Sequence, residues 1–420
     1  MYYDGAKWNS EGGNLVADEY AKELHKALLT YAIEDNFNQE FYNSVTKYAN
    51  RPRREAGIKD AMSSNAVLQS EYDTNPRLLN CLNGTFNLGT MKLQDHNPDD
   101  MLTKVAGFKY LEEARCERFE DFISEVMNND DEMVDFLQRV IGYSLLGDPK
   151  EEKLYLFHGN TTRNGKSTLV HCLTKMFGDY AVTTDPAVFL RNKNKNGDSA
   201  SPQVSRWAGI RAVFSSEFEK GRFIDENFIK GLTGRDSIST RNLYKDVFEF
   251  VPQFVLFINT NNLPLVSDQT IFQSNRVQVI SFDRHFDESE QDKDLKAKLT
   301  TPESLSGIFN WCLDGVRKYR KYGVEPPQKV RNAIESFSKL TDKILAFFDN
   351  CMIYESGAKV KGSDVYNRYK DWCNSISASA DSKEDFFNSC RDRGLMSPSN
   401  KNVKVDGESV RNAVLDYKVK

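Results

Sequence analysis

Apolar residues recur at helical spacing through Leu15, Tyr20, Leu24, Leu28 and Tyr31, which predicts a helical region over residues 14–73. The period then changes. Leu78, Leu79 and Cys81, followed by Asn83-Gly84-Thr85-Phe86-Asn87-Leu88-Gly89, predict short strands around glycine turns within residues 78–110. Helical spacing returns at Phe122, Val126, Met133, Phe136, Leu137, Val140 and Ile141. In the middle third, apolar strands at Lys153–His158, Arg211–Ser215, Phe254–Asn259 and Val277–Phe282 alternate with helical stretches, the pattern of a parallel sheet covered on both faces. Asp236–Phe250 alternates as a hairpin does, and the polar run Arg191–Gly197 predicts a mobile loop. After Pro326-Pro327, two or three helical stretches and a strand-like end suit a small winged-helix module or a plain helical cap.

Composition narrows the classes. The 420 residues allow about three domains. No apolar run exceeds the five residues seen at Phe254–Ile258, against the ~20 needed to span a bilayer, so no membrane span is expected. The N-terminus lacks the basic start and apolar stretch of a cleaved leader, and a cytosolic location is expected. Seven cysteines, none closer than seventeen residues to the next, and five scattered histidines give no metal-site spacing. A net charge of −5 argues against a protein that coats polyanions with its whole surface, while leaving room for a local basic channel.

The strand at 153–158 runs into Gly159-Asn160-Thr161-Thr162-Arg163-Asn164-Gly165-Lys166-Ser167-Thr168 and then a helix with Leu169, Cys172, Leu173 and Met176 on one face. Such a strand, glycine loop and helix N-terminus present backbone amides to an anion. Lys166 would reach β- and γ-phosphates and Ser167 would hold Mg²⁺. Five residues separate Gly159 from Gly165, one more than the usual spacing. Either the loop bulges or Asn160 takes the first-glycine position. The strand at 211–215 ends near Glu217 and Glu219, carboxylates that could polarise water beside a γ-phosphate or simply be solvated. The strand at 254–259 delivers Asn261, an amide able to orient water or sense phosphate, or to serve as turn chemistry beside Pro264. Arg276 could form a structural ion pair or reach a neighbouring subunit's phosphate.

The order of these signals resembles the superfamily 3 helicases of the AAA+ class, in the phage and plasmid primase-helicase branch with poxvirus relatives. The resemblance is carried by Asn83-Gly84 and Asp95-His96-Asn97-Pro98, by Leu137–Tyr143 with Leu146-Gly147-Asp148, by Asn164-Gly165-Lys166-Ser167 and by Ser216-Glu217-Phe218-Glu219. Ile229–Asp236 with Arg241-Asn242-Leu243-Tyr244, and Thr260-Asn261-Asn262-Leu263-Pro264, complete it. It implies an α/β fold with an AAA+ P-loop core (116–325), a mainly helical N-terminal domain (1–115) and a small helical or winged-helix C-terminal domain (326–420). ATP would sit on Asn164, Gly165, Lys166, Ser167 and Thr168. Mg²⁺ would sit on Ser167 and Glu217, with Glu217 the Walker B acid, Asn261 the sensor and Arg276 a finger acting in trans. Asn275 stands where relatives often carry a second arginine.

Arg241, Tyr244 and Lys245 put two cations and an aromatic face within five residues of the hairpin, enough to grip single-stranded or forked DNA, the competing account being a hairpin buried between subunits. By this likeness the chain is a homohexameric ATP-dependent helicase or translocase of phage or plasmid replication in the host cytosol, with a primase-polymerase domain upstream in cis. Two other classes stay open at this stage: a DNA-binding assembly ring with little hydrolysis, and a P-loop kinase of a small metabolite.

Overall fold

The computed structural model describes residues 1–34, 38–64, 66–191, 203–219, 221–241, 247–266, 268, 270–375 and 380–420. Of the expected loop Arg191–Gly197, only Arg191 lies within them. Strands β1 (Tyr2–Tyr3) and β2 (Trp8–Asn9) pair ahead of helices α1 (Gly13–Glu34), α2 (Gln39–Thr46) and α3 (Arg51–Ser64). The helical spacing of the N-terminus is realised in α1, but its apolar residues build no core. Leu15, Tyr20, Leu24 and Tyr31 are exposed, and Ala32 is the helix's buried residue. The basic run at 51–54 lies in α3, where Arg51 pairs with Glu55 and Arg54 reaches Asp18 of α1.

An antiparallel meander follows, β3 (Leu78–Cys81), β4 (Gly84–Asn87) and β5 (Lys92–Gln94). Its Leu79, Cys81 and Phe86 enter a core shared with α4 (Glu117–Val126) and α5 (Asp131–Leu145). The helical pattern of 119–146 is thus two helices. Asn128 and Asn129, at φ 56° and 55°, break it, and the Asp130 side chain accepts the Met133 amide to start the second.

The central unit comprises β6 (Leu154–His158), α6 (Lys166–Phe177), β7 (Ala181–Thr184), β8 (Ala212–Ser215), α7 (Glu226–Thr233), β9 (Ile238–Arg241), β10 (Val247–Phe250), β11 (Val255–Thr260), α8 (Thr270–Gln273) and β12 (Val277–Ser281). Five strands form one sheet in the order β12-β6-β11-β8-β7, every neighbouring pair parallel. The expected parallel sheet is therefore present, with one edge strand more than the four predicted. Side chains alternate: Tyr155 and Phe157 of β6 enter the core with α6, while Leu154 and Leu156 enter a second core with Ile229 and Leu232 of α7. Each such burial contributes about 1.5–3 kcal/mol, so both faces hold the sheet in place. The predicted hairpin is the separate pair β9-β10, with Arg241 opposite Val247.

Beyond the sheet come α9 (Leu295–Lys298), α10 (Pro302–Tyr322) and α11 (Gln328–Leu340). The basic stretch at 317–321 closes α10, where Arg317 pairs with Asp314 and Lys318 with Asp135. Although α11 follows the expected boundary at 326, it belongs to the sheet. Val330 and Phe337 are buried in the two cores, and Phe337 packs edge-on against Phe272 at 5.0 Å.

A third core, spanning Ile344 to Val414, unites α12 (Lys343–Cys351), β13 (Met352–Lys361), α13 (Gly362–Ser375), α14 (Lys383–Asp392) and β16 (Ala413–Val419), which pairs with β13; the hairpin β14 (Val403–Val405) with β15 (Glu408–Val410) precedes β16. A helix, a strand, two helices and a wing hairpin leading into a strand make this the winged-helix form of the two C-terminal possibilities. Among the described residues no helix is long and apolar enough to cross a membrane.

Candidate phosphate-binding site

Because β6 lies between β12 and β11 while its crossover helix leads away to β7, the loops after β6, β8 and β11 converge where the strand order reverses, at the carboxyl edge of the sheet. The loop after β6 is the Gly159–Gly165 segment. Gly165 adopts φ 83°, and a side chain there would strike Val126 of α4, so glycine is required on both counts. Gly159 faces a different constraint. A Cβ would fall 2.2 Å from the Asn164 amide nitrogen and 2.9 Å from the Lys166 ammonium. Gly159 is thus the glycine packed against Asn164 and Lys166, and five residues lie between it and Gly165.

Asn164 is buried, and its side-chain amide donates to the Thr161 carbonyl at 2.6 Å, so it shapes the loop from inside. Among the described residues the backbone amides of Asn160 to Ser167 donate to no other protein group. Together with the start of α6 they form an open nest of positive dipole ends. Ser167 is exposed in the first turn of that helix, and Thr168 is half-buried behind it.

Three sequence-predicted residues from three loops meet here. The Lys166 ammonium donates to Asn261 Oδ1 at 2.5 Å and lies 3.4 Å from the Gly159 carbonyl. The Asn261 Nδ2 in turn donates to Glu217 Oε1 at 2.7 Å. The result is an ammonium, amide and carboxylate chain across the ends of β6, β11 and β8. Burial pushes Lys166 down to about 8, although the Glu217 carboxylate pulls the other way. His158, at the end of β6, is also held below its ordinary value, first by burial and then by the Lys166 charge. Glu219 turns away and pairs with Arg222 at 3.0 Å, which leaves Glu217 as the carboxylate of the site.

Arg276 is not brought to this cluster. It precedes β12 at the opposite, amino edge of the sheet, and its carbonyl accepts the Leu154 amide at the start of β6. Its guanidinium is held by Glu152 at 2.7 Å and by the Thr233 hydroxyl at 2.6 Å. The neighbouring Asn275 sits at φ 52°, a left-handed turn that suits asparagine better than the second arginine of the resemblance. Arg241 is exposed at the end of β9, whereas Tyr244 and Lys245 lie outside the described residues.

Residues 1–128 match a family model described as "D5 N terminal like", and residues 157–276 match a family of unknown function, DUF5906. A helicase-named protein of Acanthamoeba polyphaga mimivirus is 28% identical over 321 residues, 71% of this chain and 33% of that protein. A second, from Sputnik virophage, is 25% identical over 373 residues, 84% of this chain and 47% of the relative. Over 71–84% of its length the chain is thus similar to viral proteins named as helicases. It spans a third of the mimivirus protein and about half of the virophage protein. The solved apo C-terminal region of NrS-1 is 15% identical and superposes on 73% of this chain and 77% of its own, with a TM-score of 0.46.

The contacts that sequence reasoning missed are long-range ones. Lys166 and Asn261 are 95 positions apart, and no local spacing announces that one will hydrogen-bond the other. Likewise Glu152, the carboxylate that engages Arg276, sits in an unremarked turn at φ 52°.

Proposed function

We propose that this chain is the ATP-driven motor of a ring-shaped DNA helicase or translocase used in phage or viral DNA replication. The observation that carries the reading is the Lys166–Asn261–Glu217 chain beside a nest of free amides at a strand-order reversal. Phosphates would lie on the nest, with Lys166 moving from Asn261 to the β- and γ-oxygens. That transfer would free Asn261 to orient the attacking water and Glu217 to polarise it. Ser167 and Glu217 are exposed oxygen donors at the same mouth, the hard-ligand chemistry that suits Mg²⁺ shared with phosphate and water. Mg²⁺ would supply charge neutralisation at the transferred phosphate. The similarity to viral proteins named as helicases supports a DNA-processing role, and the hairpin β9-β10 supports a DNA contact within a homohexamer.

ATP hydrolysis measured with and without single-stranded DNA tests the reading. Strong stimulation is expected; acceptor-dependent transfer to a small metabolite, or no turnover at all, would overturn it. In the same assay Lys245→Ala is expected to keep its basal rate, lose unwinding, and lower the salt slope of DNA binding by roughly 0.7 per lost phosphate contact. Unchanged affinity and unchanged salt dependence would remove the hairpin from the DNA path.

The lowered Lys166 gives a pH signature. In the free site the ammonium loses its proton as pH rises through about 8, whereas phosphate beside it favours the charged form. Nucleotide affinity should change little near pH 7, be roughly halved by pH 8 and then fall by up to about tenfold per pH unit, with proton uptake on binding. Calorimetry at pH 8.5 in two buffers of different ionisation enthalpy measures that uptake. No uptake, with affinity constant to pH 9.5, would contradict a charged Lys166 on the phosphates.

A further inference from the structure

The loop between Gly159 and Gly165 has an outer face that the phosphate reading does not use. Three successive carbonyls of the loop are engaged, the first from within the loop and the next two by donors from outside the nest. Thr161 O accepts from the Asn164 side chain at 2.6 Å, Thr162 O lies 2.9 Å from His285 Nδ1, and Arg163 O accepts the Phe286 amide at 2.9 Å. Two of the donors belong to one segment, residues 282–286, which continues from β12 past the end of β6. Its first residue, Phe282, donates its amide to the His158 carbonyl at 2.6 Å. In a trans peptide unit the C=O and the following N–H point in opposite directions. Fixing the carbonyls of 162 and 163 outward therefore fixes the amides of 163 and 164 inward, toward the anion. The same stretch contains Arg163 at φ 58°, a left-handed conformation costly for a residue with a Cβ, which needs its surroundings to hold it.

We infer that residues 282–286 are a strap that absorbs the extra residue of the phosphate loop, and that His285 is a positioning residue for nucleotide phosphate. Through its Nδ1–H bond to Thr162 it aims the Arg163 amide. The inference rests on the phosphate-site reading above and adds to it a reason why a loop one residue too long still presents a continuous row of donors. His285 is partly exposed, with Asp287 3.8 Å from its Nε2, so its removal leaves no buried gap in the core.

The test uses the full chain with ATP and ADP as probes, and His285→Ala, His285→Asn and Lys166→Ala as variants. An asparagine amide nitrogen can stand where Nδ1 stands, whereas alanine donates nothing. Losing one neutral hydrogen bond that orders a contact should weaken both nucleotides roughly three- to tenfold in His285→Ala. KM should rise while kcat stays within about twofold, and His285→Asn should restore both. Unfolding temperatures close to that of the parent chain separate this from loss of fold. The strap inference is overturned if His285→Ala binds ATP and ADP as the parent does while Lys166→Ala does not, or if asparagine fails to restore affinity. Should Lys166→Ala also bind both nucleotides normally, the phosphate-site reading itself has failed.

Discussion

Lys166→Ala is expected to bring ATP turnover to background while leaving the fold intact, a loss of at least ~10²–10³-fold, the range seen when one preorganised charge or donor is removed from a developing anion. The argument is one of position and of charge. Lys166 opens α6 and is buried between Gly159 and Asn261 beside the amide nest, with an ammonium that a methyl group cannot replace. The same burial makes the fold prediction unusual for a core substitution. A lysine held down at about 8 destabilises the folded chain below that pH, because its charged form is the poorer fit to the empty site. Alanine removes that cost, so the unfolding temperature at pH 7 should be equal to or higher than that of the parent. A stable variant with normal turnover would remove the ATPase hypothesis, and thermal unfolding beside a phosphate-release assay measures both halves.

How much of this was legible before the structure depends on whether the signal was local. The β6 strand, the glycine loop and α6 are contiguous, and each uses residues whose type announces the role: apolar β-formers, glycine at positive φ, and a helix with one apolar face. Four of the five sheet strands were equally plain, since burial on both faces leaves unbroken apolar runs such as Val255–Ile258. The fifth, β7, escaped notice. At the sheet edge Ala181, Val182 and Thr183 are not fully buried, so its four residues include two threonines and read as loop.

In α1 the helix was legible but its surroundings were not. Leu15, Tyr20 and Leu24 have the spacing of a core face and are exposed, because periodicity reports a helix and an apolar stripe without saying what covers the stripe. Domain limits were blurred for a related reason. The meander β3–β5 and helix α11 are separated from the sheet by turn and proline signals, yet they bury residues in its cores. As for the site, the residue types of Lys166, Glu217 and Asn261 were readable at the ends of their strands. That Asn261 bridges the other two, and that His285 lies against Thr162, are contacts across 44 to 123 positions, fixed only by strand order.

Strand order also governs the second large effect. Arg276 stands at the amino edge of β12 and the phosphate loop at the carboxyl edge of the adjacent β6. Five strand residues at ~3.3 Å each put roughly 16 Å between the two levels, too far for a guanidinium to reach its own subunit's phosphates. If Arg276 acts on a nucleotide, that nucleotide belongs to a neighbour in the proposed ring. In the single chain the guanidinium is held by Glu152 and Thr233, and the two charged partners are 14% and 45% exposed. A partly solvated pair of this kind is worth up to ~1 kcal/mol, whereas a finger on a transferring phosphoryl group is worth ~10³-fold or more in rate, ~4 kcal/mol, so exchanging Glu152 for a neighbour's phosphate is favourable.

Arg276→Ala is accordingly expected to bind ATP as the parent does and to lose about 10³-fold in turnover, while Glu152→Ala, which removes only the partner in the free subunit, should keep most of it. Mixing supplies the decisive measurement. Arg276→Ala subunits retain Lys166 and Lys166→Ala subunits retain Arg276, so mixed rings contain some interfaces with both groups intact and should recover part of the activity that neither variant has alone. If no mixing ratio recovers turnover, or if Arg276→Ala is fully active, the arginine is a structural tie between β12, Glu152 and α7, and the finger must be sought elsewhere on the subunit surface.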